Sequence, residues 1–276
     1  DVSNVVVFTS DEATARVVND LGLTAFDASA AFGDVPEEEA RGYGDAVFSA
    51  MMYIKVVSVH LVTQLGYNVL FQDVDVVWFE DPVKWIMSGS ADGDAGGFDA
   101  YFTDDGARSA RYAPWSANSG LYYLRAGPRT QYLITSLLYA GDNILSSHSH
   151  QQALTSVLAE HSSLYGLSIK IVSREDFPGG KSYHHDKPYM KKWMEGELEP
   201  RAFHMCWTLN KDDKILYLQQ LGLWFLGVDA KDLVRDGAGE GTCLSEATVE
   251  CWYRDKASDK RCKGQDHKLG TKDKNK

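Results

Sequence analysis

Two carboxylates separated by one residue, Asp73 and Asp75, form the pair in this sequence best suited to metal chemistry. In an extended segment, side chains two residues apart point the same way, so both carboxylates would face one direction. Two such groups alone would repel each other, whereas a hard divalent cation removes the repulsion and also accepts phosphate oxygens. The pair therefore indicates a site able to hold a nucleotide diphosphate and assist its departure, although solvated acidic turns show the same spacing.

The segments around the pair favour the metal site over a solvated turn. Residues 68–72, of which 69–71 are apolar, precede Asp73 and are typical of a strand, and the apolar residues 76–78 follow Asp75. Open sites in layered α/β sheets lie beyond the carboxyl ends of strands, which is where this pair falls. We therefore predict that Asp73 and Asp75 bind a divalent cation.

A histidine and a lysine are candidates to complete this site. His204 ends an extended segment, and an imidazole added to carboxylates would favour manganese over magnesium. A single histidine in such a place is also commonly a hydrogen-bonded core residue. Lys55 lies on an apolar helix face, where an ammonium is costly unless it is paired. Its side chain could extend to solvent, or it could reach a phosphate or a carboxylate of the pair, and the sequence leaves these possibilities open.

Two polar segments could contact a sugar. Asn118 to Gly120, at the entrance of a predicted strand, offers hydrogen bonds and close approach, although an ordinary turn would look the same. His150 to Gln152 begins a predicted helix, where backbone donors and amide side chains could bind a sugar or its acceptor. A capped surface helix is the alternative for this second segment.

Helices and strands alternate along the chain, which predicts an α/β fold with a sheet flanked by helices. Residues 46–65 have apolar side chains at spacings of three and four and end at Gly66, which predicts a long helix. Residues 181–200 are charged, aromatic and irregular, which favours a surface loop over the acceptor side of a site. The other predicted strands are residues 4–9, as a buried parallel strand, 98–103, 118–125 and 168–172, and the other predicted helices are residues 12–21, 129–140, 149–160 and 215–221.

The composition limits the class of partner. A chain of 276 residues with 44% hydrophobic residues can bury a large core, and we expect one domain over residues 1–235 with a tail over 236–276. The formal net charge of −11 repels polyanions, so nucleic acid and anionic membranes are not expected as partners. We find no apolar run of the roughly 18 to 20 residues needed to cross a bilayer, so any membrane anchor is expected outside this chain.

The four cysteines are unevenly placed. Cys206 lies in the body of the chain, whereas Cys243, Cys251 and Cys262 lie in the tail. Their even number permits two disulfides, most simply a clasp between tail and body, which suits an oxidising secretory lumen. Zinc binding is the alternative, although the sequence has no CxxC pair. The lysine-rich residues 263–276 are expected to be disordered.

The string GYNVLFQDVDVVWFEDP, Gly66 to Pro82, resembles the signature of the nucleotide-diphospho-sugar transferases grouped as glycosyltransferase family 77. The resemblance covers most of residues 4–224 and includes the helix with Lys55, ANSGLYYLR and, more loosely, HQQAL and FHMCWTLNKDDKILYLQQLGLW. It implies a glycosyltransferase-A fold with a Rossmann-like mixed sheet, a UDP-sugar donor, Mn²⁺ or Mg²⁺, and retention of the anomeric configuration. It also implies a type II membrane protein of the Golgi lumen whose anchor lies outside this chain.

The resemblance also implies roles for single residues. Asp73 and Asp75 match the metal and diphosphate motif, and His204 matches the late histidine that closes the metal site. Lys214, with Lys211 as its substitute, matches a basic residue that contacts phosphate. The residues expected to contact the donor or its metal ion are Thr9, Lys55, Asp73, Val74, Asp75, Asn118, Ser119, Gly120, His204, Lys211 and Lys214.

One departure from the family pattern bears on mechanism. Related folds often have an acid before the glutamine, whereas this chain has Gln151 before Gln152. A carboxylate nucleophile is therefore in doubt at that position. A front-face displacement, in which the leaving phosphate helps to deprotonate the acceptor, is simpler, with Gln152 orienting the sugar or the acceptor.

Three functions remain open at this stage. The leading hypothesis is transfer of a pentose or galactose from a UDP-sugar to a glycan or glycoprotein acceptor. The second is a nucleotide-sugar-binding domain that has lost catalysis, which Gln151 favours. The third is a metal-dependent phosphohydrolase or nucleotidyltransferase, which would need further acids near Asp73, where the sequence offers only Glu80 and Asp81.

Overall fold

The computed structural model describes residues 4–32, 44–87, 97–208 and 211–226, together with residues 40 and 247. Contacts divide the chain into two compact units, Asp1–Ile54 with Asn210–Lys276, and Lys55–Leu209. The expected domain boundary at residue 235 and the three tail cysteines lie outside the described residues, so the tail and its disulfides stay predictions.

The described chain alternates between helices and strands, as the sequence predicts. The strands are β1 (Val6–Thr9), β2 (Thr24–Asp27), β3 (Val69–Gln72), β4 (Val76–Trp78), β5 (Ala100–Asp104), β6 (Ala117–Leu124), β7 (Ile169–Val172) and β8 (Ala202–His204). The α-helices are α1 (Glu12–Asp20), α2 (Ala28–Phe32), α3 (Ala46–Gln64), α4 (Pro82–Met87), α5 (Pro128–Tyr139), α6 (Gly141–Ser147), α7 (His150–Tyr165), α8 (Gly180–His185), α9 (Lys187–Met194) and α10 (Lys211–Gln220).

The first unit contains the small parallel sheet of β1 and β2, with α1 as the connection between them. Asp11 caps α1 by accepting a 2.7 Å hydrogen bond from the Thr14 amide, which satisfies one of the free donors at the helix start. The ring centroids of Phe8 and Phe26 lie 5.0 Å apart across the strand pair. The parallel direction predicted for β1 is confirmed, but Val6 is 50% exposed, so the prediction of a buried strand is wrong at its beginning.

The second unit is built on a mixed four-stranded sheet in the order β3-β6-β5-β7. Strands β3 and β5 run antiparallel to β6, and β7 runs parallel to β5. The last residues of β3, β5 and β7 and the first residues of β6 therefore lie at the same end of the sheet. A separate antiparallel pair joins β4 to β8 and places Val76 opposite His204. The predicted α/β class, with a mixed sheet and flanking helices, is confirmed.

The core of the second unit is centred on β6, all eight residues of which are buried. Phe102 of β5 stacks on Tyr122 of β6 with 5.1 Å between ring centroids, and Phe71 of β3 lies against the same tyrosine at 5.1 Å. Helices α5, α6 and α7 pack on one another, and Leu133 and Leu158 are fully buried there. Stacked aromatic side chains thus hold the neighbouring strands β3, β6 and β5 together.

Helix α3 has nearly the bounds predicted from its apolar spacing. Gly66 follows it with φ of 84°, and its amide donates to the Thr63 carbonyl at 3.0 Å, which is the expected helix end. By length and composition α3 could cross a membrane, so the expectation that no segment reaches that length is wrong. Helices from a protein core pass the same test, and 33% of its apolar window is buried inside the protein.

The prediction of an irregular loop over residues 181–200 is wrong, because α8 and α9 occupy most of it. Asp186 ends α8 and caps α9 by accepting a 3.1 Å hydrogen bond from the Tyr189 amide, and Pro188 lies in the first turn of α9. Strand β2 was also not predicted. Helix α7 extends to Tyr165 and α10 begins at Lys211, beyond the predicted bounds of both helices.

Substituting Phe102 tests the packing between β5 and β6. Its side chain is 1% exposed, so Phe102→Ala removes a ring and leaves a cavity, and we expect the free energy of unfolding to fall by about 3 to 5 kcal/mol. Tyr139→Ala is the control, because Tyr139 is 85% exposed and should change the same quantity by less than about 0.5 kcal/mol. Urea denaturation followed by circular dichroism measures both, and equal shifts would contradict the described core.

Candidate active site

The candidate site lies at the end of the mixed sheet where β3 finishes and β6 begins. Asp73 follows β3 directly, and its amide donates a 2.7 Å hydrogen bond to the Gly120 carbonyl of β6. Asp75 lies two residues further, immediately before β4. Because β4 pairs Val76 with His204, this strand pair brings the histidine beside the two carboxylates.

Asp73, Asp75 and His204 form a group able to hold a metal ion. One ligand atom from each lies within 4.8 Å of the others. The His204 Nε2 atom is 3.2 Å from Asp75 Oδ1 and 3.9 Å from Asp73 Oδ2. Asp75 and His204 are buried, so water does little to stabilise the charge on the Asp75 carboxylate, and a cation would offset that cost. Two carboxylates with one imidazole suit a divalent cation such as Mn²⁺.

Gly120 provides the space that this group needs. A Cβ atom at position 120 would lie 2.5 Å from His204 Cε1 and 2.6 Å from Asp73 Oδ2, closer than real Cβ contacts. Any other residue would therefore displace two of the three candidate ligands. The three side chains of this group and the space left by Gly120 are together compatible with a bound cation.

Lys55 binds the carboxylate of Asp73. Its Nζ atom is 2.6 Å from Asp73 Oδ1, with both side chains partly buried. Among the possibilities that the sequence leaves open, the structure selects the ion pair with the metal-site carboxylate. The pair engages one oxygen of Asp73, while the other oxygen is the one nearer to His204.

A buried carboxylate and amide lie behind Gly120. Asn118 Nδ2 donates to Asp105 Oδ1 at 2.9 Å, and Asn118 Oδ1 accepts from the Gly120 amide at 2.7 Å. Burial raises the pKa of Asp105, and hydrogen bonds from Asn118, Gln151 and Trp207 act in the opposite direction. This network fixes the start of β6 relative to the end of β5.

The beginning of α7 is attached to the same strand. Gln151 Oε1 accepts hydrogen bonds from the Ser119 amide at 3.0 Å and the Ser119 hydroxyl at 3.1 Å. Burial, together with the charge of Lys55, lowers the pKa of His150 to about 3. The imidazole of His150 is therefore neutral near pH 7, so it adds no positive charge beside the Lys55 ammonium.

Seven of the predicted site residues lie together in the second unit. Val74 is 98% exposed at the tip of the turn between the two carboxylates. Gln152 is partly buried on α7, and its carbonyl accepts from the Ser156 hydroxyl at 3.3 Å. Thr9 ends β1, and Lys211 and Lys214 lie on α10, in the first unit. The seven residues are Lys55, Asp73, Asp75, Asn118, Ser119, Gly120 and His204.

Two residues of the network were not predicted. Asp105 follows β5 just as Asp73 follows β3, so the rule applied to Asp73 could also have found it. Trp207 gave no sequence signal, yet its indole Nε1 donates to the Asp105 carbonyl at 2.9 Å and to Asp105 Oδ2 at 3.2 Å. A contact between segments about a hundred residues apart cannot be predicted from the local spacing of residue types.

Comparison with known families identifies the chain. A family model described as nucleotide-diphospho-sugar transferase matches residues 1–218, which include the whole site. The chain belongs to the nucleotide-diphospho-sugar transferase family. The resemblance to glycosyltransferase family 77 is thereby confirmed.

Curated relatives of this nucleotide-diphospho-sugar transferase are larger than the chain. It is 25% identical over 183 residues to UDP-D-xylose:L-fucose alpha-1,3-D-xylosyltransferase of Arabidopsis thaliana, covering 60% of this chain and 46% of that protein. It is 23% identical over 210 residues to UDP-galactose:fucoside alpha-3-galactosyltransferase of Dictyostelium discoideum, covering 71% of this chain and 31% of that protein. The chain therefore spans less than half the length of either relative.

Among solved structures, the chain is similar to a glycosyltransferase involved in the glycosylation of the major capsid of PBCV-1. The TM-score is 0.43 at 9% sequence identity, with 76% of this chain and 94% of that chain covered. At that score the likeness carries no argument about the site.

Gly120→Ala tests whether the space at Gly120 serves the metal group. The added methyl displaces His204 and Asp73, so we expect the affinity for Mn²⁺ to fall by at least about tenfold. Gly127→Ala is the matched control, since a Cβ there meets nothing within 4 Å. Electron paramagnetic resonance titration of Mn²⁺ measures both affinities, and unchanged binding in Gly120→Ala would show that these residues are not the ligands.

Lys55→Met tests the ion pair with Asp73. Removing an ammonium that competes for the carboxylate should strengthen Mn²⁺ binding by roughly threefold or more, because the repulsion between two cations disappears. Lys84→Met, an exposed lysine on α4, removes the same charge and should leave the affinity unchanged. Weaker Mn²⁺ binding in Lys55→Met would instead show that Lys55 is needed to hold Asp73 in place.

Proposed function

We propose that this nucleotide-diphospho-sugar transferase moves a pentose or a galactose from a UDP-sugar to a glycan or glycoprotein acceptor, with retention of configuration. The observation that carries the proposal is the grouping of Asp73, Asp75 and His204 around the space left by Gly120. A phosphohydrolase would need further acids beside Asp73, and the other buried acid near the site, Asp105, is engaged with Asn118 and Trp207.

The metal dependence of the reaction follows from the ligand set. Asp73, Asp75 and His204 would hold Mn²⁺ or Mg²⁺, and the imidazole favours the former. When bound, such an ion supplies Lewis-acid stabilisation to a departing diphosphate. Lys55 engages one oxygen of Asp73, and the other oxygen is the one nearer to His204.

The polar network positions the sugar side of the site. Asn118 holds the Gly120 amide, and Gln151 holds both polar hydrogens of Ser119, so the beginning of β6 is fixed from two directions. Preorganised groups of this kind need no reorganisation during the reaction. Gln152, next along α7, is proposed to orient the sugar or the acceptor.

Retention is proposed to proceed by front-face displacement. The acceptor hydroxyl forms a bond to the anomeric carbon on the face from which UDP leaves, and its proton passes to a phosphate oxygen of the leaving group. The use of the Gln151 amide to hold Ser119 supports this mechanism, because no carboxylate stands at that position to form a covalent intermediate. Thr9, Val74, Lys211 and Lys214 are retained as proposed donor contacts from the family motif.

The choice of donor and acceptor rests on the relatives. One is named for transfer from UDP-xylose to fucose and another for transfer from UDP-galactose to a fucoside, which supports a UDP-sugar donor and a glycan acceptor here. We also propose a Golgi lumenal location on the basis of the family resemblance. A donor-binding domain without catalysis is the second candidate, and Gln151 in place of an acid is the observation that favours it.

Asp75→Asn tests the proposed reaction. In a panel of UDP-sugars with Mn²⁺, we expect wild-type turnover with one donor and a loss of about 100-fold or more in the variant, because a ligand of the leaving-group cation is weakened. Asp142→Asn, on the exposed surface of α6, is the control and should retain full turnover. The rate of UDP release measures turnover by the wild type and by both variants. Turnover that survives in Asp75→Asn removes the proposed mechanism, and UDP-sugar binding without turnover in the wild type supports the second candidate.

A further inference from the structure

An exposed aromatic and cationic surface lies three residues beyond His204. The Trp207 residue is 39% exposed, and the Lys181 Nζ atom lies 4.7 Å from its ring centroid. The His185 ring approaches edge-on with 5.8 Å between centroids. We call Trp207 and the two neighbouring cations, Lys181 and Arg174, the indole wall. A large indole left in solvent beside a candidate active site does not serve the core.

The backbone at Trp207 is held in an unfavourable conformation. Its φ of 61° lies in the left-handed region, which a bulky residue seldom adopts unless the surroundings impose it. Two hydrogen bonds from the indole to Asp105 fix the ring, and His184 hydrogen-bonds to the Trp207 backbone. The close contact of Gly180 with the Cys206 carbonyl leaves no room for a side chain beneath this turn. The ring orientation is thus specified at some cost, which indicates a use for the exposed indole.

The charges near the indole wall are predominantly positive. Asp104 accepts two hydrogen bonds from Arg108, at 2.6 and 2.9 Å, and lies 3.4 Å from Arg174 Nε. Lys181 makes no ion pair within the described residues. The three cations Lys181, Arg108 and Arg174 stand against two carboxylates, Asp104 and Asp105, which leaves one positive charge in excess. A Cβ on Gly106 would lie 2.5 Å from Lys181 Cγ and 3.4 Å from Arg174 Nη1, so both cations converge on this glycine.

The position of these cations relates them to the reaction centre. Arg174 follows β7 by two residues, and β7 is parallel to β5, so Arg174 lies at the same end of the sheet as Asp105. Asp105 connects the indole to Asn118 and, through it, to Gly120 beneath the metal group. The Trp207 indole is therefore joined by hydrogen bonds to Gly120, against which two of the candidate metal ligands pack, and Lys181 lies against the same indole.

We propose that the indole wall is an acceptor subsite for an acidic sugar, a uronic acid residue of the glycan. The sugar ring would lie against the exposed part of Trp207 that Lys181 leaves uncovered, and its carboxylate would be recognised by Lys181 and Arg174 through charge-assisted hydrogen bonds. This assignment rests on the proposed glycosyl transfer, because only an acceptor needs a second sugar subsite beside the donor. A neutral acceptor would leave Lys181 without an anionic partner.

The test compares two probe sugars of the same ring configuration, methyl α-D-galactopyranosiduronate and methyl α-D-galactopyranoside. Ligand-observed NMR titration of the intact chain, with Mn²⁺ and UDP present, measures both dissociation constants. We expect the uronate to bind at least about fivefold more tightly than the neutral glycoside, with the preference shrinking as salt increases. Equal binding of the two sugars by the wild type would overturn the proposal.

Three variants assign the preference to the indole wall. Lys181→Met keeps the side-chain stem against the indole and should remove most of the preference for uronate, whereas the control Lys84→Met should keep it. Trp207→Ala should weaken both sugars, and Trp207→Phe should recover part of the binding, which a merely misfolded turn would not do. A preference that persists in Lys181→Met overturns the assignment. So does weaker UDP binding in that variant, which would give Lys181 to the donor phosphates.

Turnover of the UDP-sugar panel, measured on the same preparation, separates this inference from the proposed function. Turnover without uronate preference refutes the acidic acceptor alone. A wild type that turns over none of the UDP-sugars refutes the glycosyl transfer on which the acceptor assignment rests, whatever the sugar titration gives.

Discussion

The repulsion between Asp73 and Asp75 is the constraint on which this end of the protein depends. Two unit charges within 4.8 Å of each other repel by roughly 3 kcal/mol or more at an effective dielectric constant near 20, a large fraction of the stability of an ordinary domain. The chain offsets part of this with the Lys55 ammonium, which lies 2.6 Å from one carboxylate. A divalent cation would offset the rest. The strand pair that carries His204 and the glycine beneath it both serve this arrangement.

Unfavourable backbone conformations collect around the same place. Among the described residues, the non-glycine residues with positive φ are Ser116, His148 and Trp207. Ser116 comes two residues before Asn118, His148 two before His150, and Trp207 three after His204. Such conformations cost on the order of 1 to 3 kcal/mol each and persist where surrounding contacts impose them. The stability of the buried sheet therefore sustains strain at the segments that surround its end.

Much of the site could be predicted from local pattern, and the rest depends on long-range pairing. The apolar run before Asp73 and the regular spacing in α3 express local rules, and both predictions match the structure. The pairing of β4 with β8 joins residues more than a hundred positions apart, so the sequence could offer His204 as a candidate ligand but could not place it beside Asp75. The helices over residues 181–200 were missed although Asp186 and Pro188 are standard start signals, because charge and aromatic content suggested a loop. Trp207 and its bond to Asp105 had no local signal at all.

Gly120 also limits how this gene can change. Every single-nucleotide change in a glycine codon that alters the residue introduces a side chain or a stop, and any Cβ at this position meets His204 and Asp73. No codon that one such change can reach encodes a residue smaller than alanine. A lineage that needs the metal group intact thus has no tolerated step away from glycine at position 120, whereas Gly127, where a Cβ meets only open space, is free of that restriction.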